Sequence, residues 1–428
     1  MDNEVSIYLN VLLKKIYKNY YLFKNEGFVG ILNKFKKKYF KNNMPSYSIR
    51  INLDNKSNNK KNILIIDRYV PHFDKDAGSR TVFQLLELFV KLGFNVIFIG
   101  DDFIKHEPYT TIIEQANIKV LYGKYYYKNW KKWIKYNGKY IDYFILNRPY
   151  ISVKYIDIIR KYSEGKIIYY GHDLHFLRDL REYEITNDNE KLISSKKWKK
   201  LELSLMKKSD IVYYFSSEEI KIIKEIEPLI NCKVIPLNIF QKNNLMNYDF
   251  NKRKDIIFVG GFRHEPNVDA LIWFDKNIMP LIRQSIPNII LYVIGSNVTE
   301  KIEKLEKDDV QILGYLDDNT LDEYYKKCKI CIVPLRYGAG VKGKLLEAMY
   351  KQIPVITTSI GAEGLPNIEK CLQIENEPEE FAKKLINMYN DNNLLEKLVE
   401  NSYKYIMKYF TIDNAINIFK EDFDIKGD

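Results

Sequence analysis

The sequence predicts an α/β protein with two doubly wound, Rossmann-like domains in tandem. The first observation is length, because 428 residues exceed the roughly 250–300 residues that one hydrophobic core supports. The second is the alternation of short apolar runs with amphipathic helical stretches from residue 62 onward, which is typical of parallel sheets covered by helices. The third is that this alternation fades near residues 237–255 and then restarts, which predicts a domain junction there.

We expect the first domain to span residues 61–240. Its strands are predicted from the runs NILIID, NVIFIG, IDYFIL, KIIYY and DIVYYF. The stretch SRTVFQLLELFVKLG is the predicted helix after the first strand, and a polar loop lies between the two. Such loops follow the carboxyl ends of parallel strands, where ligands bind in sheets of this kind.

The second domain is predicted to span residues 241–410, with a separate helix over residues 411–428. Its strands are predicted from DIIFVGG, NIILYVIGS, VQILGY, CKICIVPL and PVITTS. After the first of these strands, NVDALIWFDKNIMPLIRQSI predicts one continuous helix. Two domains of this type leave a cleft between their Gly-rich loops, and we expect the ligand site in that cleft.

Residues 1–60 are expected to form a basic, amphipathic helical extension and a polar linker. Within residues 1–45 apolar side chains recur at helical spacing and lysines fill the other faces. This pattern suits a helix pair on an anionic membrane surface, and it suits equally a helix packed on protein. No apolar run reaches the length of a membrane span, and the N-terminus makes a poor signal peptide. We therefore expect a cytoplasmic protein, peripheral on the inner membrane face if the extension binds lipid.

Charge and cysteine content narrow the classes of partner. The net charge of +11 would attract nucleic acid, anionic lipid or phosphorylated small molecules. Since no zinc finger, RNP-like strand or basic zipper is present, we expect no nucleic-acid partner. Four cysteines are too few for a disulfide scaffold in a chain of this length. Cys328 and Cys331 form a C-x-x-C that enters an apolar run, so we predict buried thiols there instead of a redox pair or zinc site.

The stretch RYGAGVKGKLLEAM, residues 336–349, is a glycine-rich loop that leads into a helix. It spells both G-x-G-x-x-G and G-x-x-x-x-G-K. A phosphate-gripping P-loop needs Ser or Thr where Leu345 stands, and a dinucleotide fingerprint belongs to the first βα turn of its domain. Glycines and a helix N-terminus still suit a phosphate, and Lys342 and Lys344 add positive charge. Glu347 would suit a ribose diol, although helix dipoles favour such a carboxylate in any protein. The loop predicts a nucleoside-diphosphate site.

Five motifs in order carry a resemblance to a known family: FVGGFRHEPNVDAL, LYVIGS, VQILGYLDD, VPLRYGAGVKGKLLEAM and PVITTSIGAEGL. They resemble the carboxyl-terminal domain of retaining glycosyltransferases of the GT-B fold, family 4 (glycosyl transferases group 1), over about residues 255–365. The first domain is similar more loosely, through RYVPHFDKDAGSRT and GHDLHFLRDLRE. The resemblance implies transfer of a sugar, with retention, from a nucleotide sugar to a glycan or lipid-linked acceptor. The expected setting is bacterial cell-surface polysaccharide or lipopolysaccharide biosynthesis.

The resemblance also implies which residues act. Arg263 and Lys344 would hold the diphosphate in place of a metal ion, and Glu347 would bind the ribose. The histidine presented to the transferred sugar or the acceptor would be His172, or alternatively His175, with Asp173 helping to position it. No metal and no further cofactor are expected. The implied donor-binding residues are Gly78, Ser79, Gly261, Arg263, Gly340, Val341, Lys342, Lys344 and Glu347.

One departure from the family keeps alternatives open. The family pattern has two glutamates in this loop region, and the first falls on Ala339. Backbone amides of residues 338–341 would then have to bind the sugar hydroxyls. An inverting GT-B transferase, a nucleotide-sugar epimerase and a non-catalytic nucleotide-sugar-binding scaffold therefore remain as alternatives.

Overall fold

A computed structural model describes residues 50–53, 60–237, 240–246 and 249–425. The helices expected within residues 1–45 lie outside these described residues. The described chain forms two parallel sheets with helices on their faces, which confirms the predicted α/β class. None of the helices in these ranges combines the length and the apolar character that crossing a bilayer requires.

Within the described residues, the first sheet has seven parallel strands in the order β3-β2-β1-β4-β5-β6-β7. Its strands are β1 (Asn62–Asp67), β2 (Asn95–Gly100), β3 (Lys119–Val120), β4 (Tyr143–Asn147), β5 (Lys166–Tyr170), β6 (Ile211–Tyr214) and β7 (Cys232–Val234). Its helices are α1 (Ala77–Lys91), α2 (Tyr109–Gln115), α3 (Lys124–Asn137), α4 (Pro149–Tyr162), α5 (His175–Thr186), α6 (Asn189–Lys207) and α7 (Ser217–Ile226), with a 3₁₀ turn at Gly138–Tyr140.

The second sheet has six parallel strands in the described ranges, in the order β10-β9-β8-β11-β12-β13. Its strands are β8 (Lys254–Val259), β9 (Leu291–Ile294), β10 (Val310–Gly314), β11 (Cys328–Val333), β12 (Val355–Thr357) and β13 (Gln373–Ile374). Its helices are α8 (Glu265–Asn277), α9 (Met279–Ser285), α10 (Glu300–Glu303), α11 (Asp318–Lys327), α12 (Gly343–Tyr350), α13 (Ser359–Ala362), α14 (Pro378–Asn390) and α15 (Asn392–Tyr409), with a 3₁₀ turn at Ile368–Lys370. The last helix is α16 (Ile412–Asp422).

The middle residues of the central strands are apolar because helices cover both faces of each sheet. All six residues of β1 are buried. Ile63 and Ile65 pack into one core cluster, and Leu64 and Ile66 pack into the cluster on the opposite face. Successive side chains of a strand point to opposite faces, so a strand buried on both sides reads as a continuous apolar run.

Both strand orders reverse direction at the first strand of their domain. In the first sheet β1 lies between β2 and β4, and in the second β8 lies between β9 and β11. Helices that follow the two neighbouring strands therefore diverge to opposite faces and leave a crevice outside the carboxyl ends. The crevice of the first domain lies beside Asp67 and Arg148, and that of the second beside Gly260 and the loop of residues 336–342.

Three details differ from the sequence-based expectations or test them directly. The helix expected after β8 is two helices that meet at Ile278, because Pro280 has no N–H to continue the α8 hydrogen-bond ladder and starts α9 instead. The edge strands β3, β7 and β13 were not predicted, since two or three residues carry no readable periodicity. Cys328 and Cys331 are buried as predicted, and burial raises the pKa of Cys331 to about 12.

The C-terminal helix α16 returns to the first domain. Asp422 accepts hydrogen bonds from Tyr213 at 2.6 Å and from Lys233 at 2.6 Å. The ring of Phe423 packs 4.7 Å from that of Phe89. The chain thus crosses between the domains twice, once on leaving β7 and once on entering α16.

Candidate functional site

The loop between β11 and α12 lies where the two domains meet. Gly338 and Gly340 have φ values of +146° and +71°, which glycine adopts without strain. A Cβ at Gly340 would lie 3.4 Å from both the Asp173 Cβ and the His172 carbonyl oxygen. Val341, predicted to bind the donor, is buried in the core. The glycine loop of the second domain therefore contacts the β5–α5 turn of the first.

Lys344 presents an ammonium group in the first turn of α12. Its Nζ donates to Oδ1 of Asn267 and lies 4.5 Å from the centre of the Phe258 ring. The Asn267 amide in turn donates to the carbonyl oxygen of Gly261 at 2.7 Å, which links Lys344 to the β8–α8 loop. No carboxylate pairs with Lys344 in the described part of the chain, and burial lowers its pKa to about 7. An anion bound here would pair with the Lys344 ammonium group, whose charge no described carboxylate neutralises.

The other two predicted cations have different environments. Arg263 is exposed in the loop before α8, without a hydrogen bond or ion pair to the described residues. Lys342 is buried, and its Nζ donates to the Ala339 carbonyl oxygen at 3.1 Å and to that of Gly340. Its Nζ also lies 3.9 Å from Oε2 of Glu363. Arg263 is free to meet a ligand, whereas Lys342 holds its own loop in shape.

Glu347 is engaged by a residue of the other domain. Its Oε1 accepts a hydrogen bond at 3.1 Å from Nη1 of Arg80, which projects from α1. Arg80 also lies 3.7 Å from Asp318 at the start of α11. The carboxylate that the sequence assigns to a ribose therefore takes part in a contact across the cleft.

Gly78 and Ser79 lie in the first turn of α1, but they do not form an open phosphate cradle. Asp76 caps the helix, accepting from the Ser79 N–H at 2.8 Å and from its hydroxyl at 2.9 Å. A Cβ at Gly78 would lie 3.0 Å from Nη2 of Arg148. The space that glycine leaves here is filled by a guanidinium group, so a ligand would meet Arg148 before the Gly78 backbone.

His172 is buried at the end of β5, with a left-handed φ of +68°. Its Nε2 lies 3.1 Å from Oδ1 of Asn147, whose Nδ2 donates to the Ile66 carbonyl oxygen at 3.0 Å. Because that amide must present its oxygen to the ring, Nε2 carries the proton and Nδ1 is left as an acceptor. Burial, and then the nearby Arg148 charge, hold the pKa of His172 well below its ordinary value.

Asp173 and His175 are fixed by partners of their own domain. Burial alone would raise the pKa of Asp173, but Arg178, which bonds it at 2.7 Å, holds that pKa below its usual range. His175 lies with its ring 4.8 Å from that of Trp198 and its Nδ1 3.4 Å from Glu202. His175 is thus turned toward α6, away from the role of an acceptor ligand. Across the described ranges, no three His, Cys, Asp or Glu side chains converge as metal ligands would.

A buried ion pair joins α5 to the second domain. Arg181 makes two hydrogen bonds to Glu363, at 2.7 and 2.6 Å, and a third, at 2.7 Å, to the carbonyl oxygen of Gly338. It therefore ties the glycine loop to the first domain. Sequence reasoning missed Arg80, Arg148 and Arg181. Of these, only Arg148 carried a usable signal, because it directly follows a predicted strand, where ligand-binding residues concentrate.

Comparisons with known proteins find matches to part of the chain. Residues 253–391 match the family model described as "Glycosyl transferases group 1". An uncharacterized protein in the cps region of Klebsiella pneumoniae is 29% identical over 177 residues, 39% of this chain and 46% of that protein. An uncharacterized glycosyltransferase of Methanocaldococcus jannaschii is 26% identical over 194 residues, 43% of this chain and 51% of that protein. The chain thus spans about half the length of these curated relatives.

Solved structures extend the likeness to both domains. Sucrose-phosphate synthase from Thermosynechococcus elongatus matches with a TM-score of 0.65 at 15% identity, covering 85% of this chain and 98% of that one. Anabaena HepE, solved in complex with UDP and glucose, matches with a TM-score of 0.60 at 13% identity over 85% and 99% of the two chains. At such identities the likeness concerns the fold. The protein has the GT-B glycosyltransferase fold, and its residues 253–391 carry the match to glycosyl transferases group 1.

Proposed function

We propose that the protein is a glycosyltransferase that moves a sugar, with retention, from a nucleotide-sugar donor to a glycan or lipid-linked acceptor. The observation that carries the proposal is Lys344. Its half-buried ammonium stands at the N-terminus of α12, directly after a glycine loop in an interdomain crevice, and no carboxylate of the described ranges pairs with it. The match of residues 253–391 to glycosyl transferases group 1 supports the same conclusion.

The donor diphosphate would lie between Lys344, the first N–H groups of α12 and the exposed Arg263. Departure of the nucleoside diphosphate leaves negative charge, and preorganised cations and helix N–H groups stabilise such charge strongly. We propose that these groups act without a metal ion. Oε2 of Glu347 accepts a hydrogen bond from a ribose hydroxyl, while Oε1 keeps its hydrogen bond from Arg80.

The first domain would supply the sugar and acceptor side. Neutral His172 presents an acceptor nitrogen to a sugar hydroxyl, and its bond to Asn147 fixes the ring. Double displacement on the enzyme needs a free carboxylate near the anomeric carbon. Asp173 is already paired with Arg178. This supports attack by the acceptor hydroxyl on the face that the diphosphate leaves, with the departing phosphate taking the proton.

Donor recognition is tested by thermal stabilisation with a panel of nucleoside diphosphates and nucleotide sugars in metal-free buffer. We expect one nucleotide to raise Tm by several degrees in the wild type, and we expect Glu347→Ala to lose most of that shift because it removes the ribose ligand. Glu323→Ala, a change on the neighbouring helix α11, is the control and should keep the shift. Absence of a shift with every nucleotide would reject the donor site, and an inverted anomeric configuration in the product would reject retention.

We further propose that the protein binds its acceptor at the cytoplasmic face of the membrane. The reaction would belong to cell-surface polysaccharide or lipopolysaccharide biosynthesis. The uncharacterized protein in a cps region supports this setting, as do the lysines and spaced apolar residues of residues 1–45. Deleting residues 1–45 is expected to weaken binding to anionic liposomes in a sedimentation assay, because basic amphipathic segments bind such lipid. Transfer to a water-soluble acceptor should continue at the wild-type rate. Unchanged liposome binding after the deletion would refute the membrane role.

A further inference from the structure

Arg148 is a largely buried arginine, and one of its guanidinium nitrogens is buried without a hydrogen-bond partner among the described residues. Its Nε donates to Oδ1 of Asp67 at 2.8 Å, whereas Nη2 is shielded from solvent and meets no acceptor in the described ranges. Only 14% of the side chain is exposed. A buried N–H group without an acceptor costs free energy, so an acceptor at this nitrogen would stabilise the protein.

The position of Arg148 is that of a ligand-binding residue. It directly follows β4, and Asp67 ends the neighbouring β1. The sheet reverses its strand order between these two strands, which is where ligands bind in doubly wound sheets. Arg148 also has a left-handed φ of +62°, which is uncommon for a long side chain. The backbone is therefore held in an unfavourable conformation that directs this guanidinium to the crevice.

None of the described groups around Arg148 supplies a hydrogen-bond acceptor to Nη2. Two carboxylates lie nearby, but Asp67 takes the Nε hydrogen, and Asp76 caps α1 and pairs with Arg68 at 3.2 Å. His172 stays neutral, and Gly78 contributes no side chain. Nη2 lies 3.0 Å from the place where a Gly78 Cβ would be, so it stands over the first turn of α1. The Ser79 N–H of that turn is already taken by Asp76, so the guanidinium is the group at this place that suits a phosphate.

We propose that Nη2 of Arg148 binds a phosphoryl oxygen in the cleft, beside Gly78, which the family resemblance implied as a donor-binding residue. This inference rests on the proposed function for the source of the phosphate. A donor diphosphate and the phosphate of a lipid-linked acceptor present the same oxygen chemistry to the guanidinium. Gly78 serves the contact indirectly, because a Cβ at this position would lie 3.0 Å from Nη2 and would push the guanidinium group aside by a few tenths of an ångström.

Calorimetric titration with UDP tests the donor source, using Arg148→Gln and Gly78→Ala. Both variants are expected to bind UDP about 10- to 100-fold more weakly than wild type, since each removes or displaces one charge-assisted hydrogen bond. Arg160→Gln is the matched control, because Arg160 lies at the far end of the same helix α4 and pairs with Asp210. It should bind UDP as wild type does.

Inorganic phosphate added to the UDP-saturated protein tests the acceptor source. If the wild type binds phosphate even when UDP is bound, and Arg148→Gln loses that binding, the contact is assigned to an acceptor phosphate. Equal UDP and phosphate binding by wild type and a stably folded Arg148→Gln would overturn the proposal. If Arg148→Gln does not fold, the same UDP and phosphate titrations are made with Arg148→Lys and Gly78→Ala, and their results are interpreted in the same way. Failure of the wild type to bind any nucleoside diphosphate would instead refute the proposed function, and phosphate alone would then probe Arg148.

Discussion

Replacing Lys344 by methionine is expected to lower kcat/KM for the nucleotide sugar by about 100- to 1,000-fold, the usual effect of removing one preorganised charge-stabilising donor. Lys344 lies in the first turn of α12, without a carboxylate partner in the described residues, so its charge is available to the diphosphate. Methionine is one atom shorter than lysine; it keeps most of the aliphatic side chain and removes the ammonium group that lies over the Phe258 ring. Steady-state kinetics with the donor identified by thermal stabilisation would measure the loss.

Lys351→Met is the matched control for this change. Lys351 follows the same helix but pairs with Asp322, away from the glycine loop. It should keep kcat/KM within a few-fold of wild type. A Lys344→Met variant that retains near-wild-type kcat/KM would remove Lys344 from the site.

Lys344 also predicts a pH dependence of donor binding. Burial lowers its pKa to about 7, so the free protein carries the charge below that value and loses it as pH rises through about 7. A bound diphosphate favours the charged form, so binding above pH 7 takes up a proton and affinity falls by up to about tenfold per pH unit. Lys344→Arg stays protonated and should bind with constant affinity over this range. Calorimetry in buffers of different ionisation enthalpy would detect the proton, and a flat wild-type profile would contradict the prediction.

Replacing Arg181 by methionine is expected to destabilise the protein by about 3 kcal/mol. The reason is that Glu363, whose side chain is 8% exposed, would keep a buried charge after losing its main partner. The Gly338 carbonyl oxygen would lose its hydrogen bond as well. Urea unfolding followed by far-UV circular dichroism would give the change in the unfolding midpoint.

Two further variants distinguish the loss of stability caused by breaking a buried ion pair from the loss caused by removing any charged side chain. Lys208→Met breaks an exposed pair with Asp157 and should cost less than about 1 kcal/mol. Adding Glu363→Gln to Arg181→Met removes the uncompensated charge, so the double variant should be more stable than Arg181→Met alone. A double variant as unstable as the single one would show that packing, and not charge, determines the effect.

The parts of the fold that the sequence predicts are those in which one local pattern suffices. Strands such as β1 and β8 lie between helical layers, and their burial on both faces makes them continuous apolar runs. Edge strand β13 has two residues and is held by pairing with β12, a contact that no local pattern encodes. The break at Ile278 was readable in principle from Pro280, because proline suits only the first turn of a helix.

The same limit applies to the candidate site. The glycine loop and Lys344 form one contiguous segment, so spacing alone brings the glycines and the charge together. The contacts Arg80–Glu347 and Arg181–Glu363 join residues that lie 267 and 182 positions apart. The family resemblance implied Gly78 as a donor-binding residue. Its neighbour is nonetheless Arg148, brought there by the pairing of β1 with β4.

The return of α16 to the first domain has a consequence for synthesis of the chain. The first domain is translated long before residues 412–425, and N-terminal domains generally begin to fold as they emerge from the ribosome. Until residues 412–425 are made, Phe89 and Tyr213 lack the Phe419 and Phe423 rings that pack against them in the folded protein. An apolar face therefore stays open to water, and to chaperones, throughout translation of the second domain. The first domain acquires this part of its surface only after residues 412–425 have been synthesised.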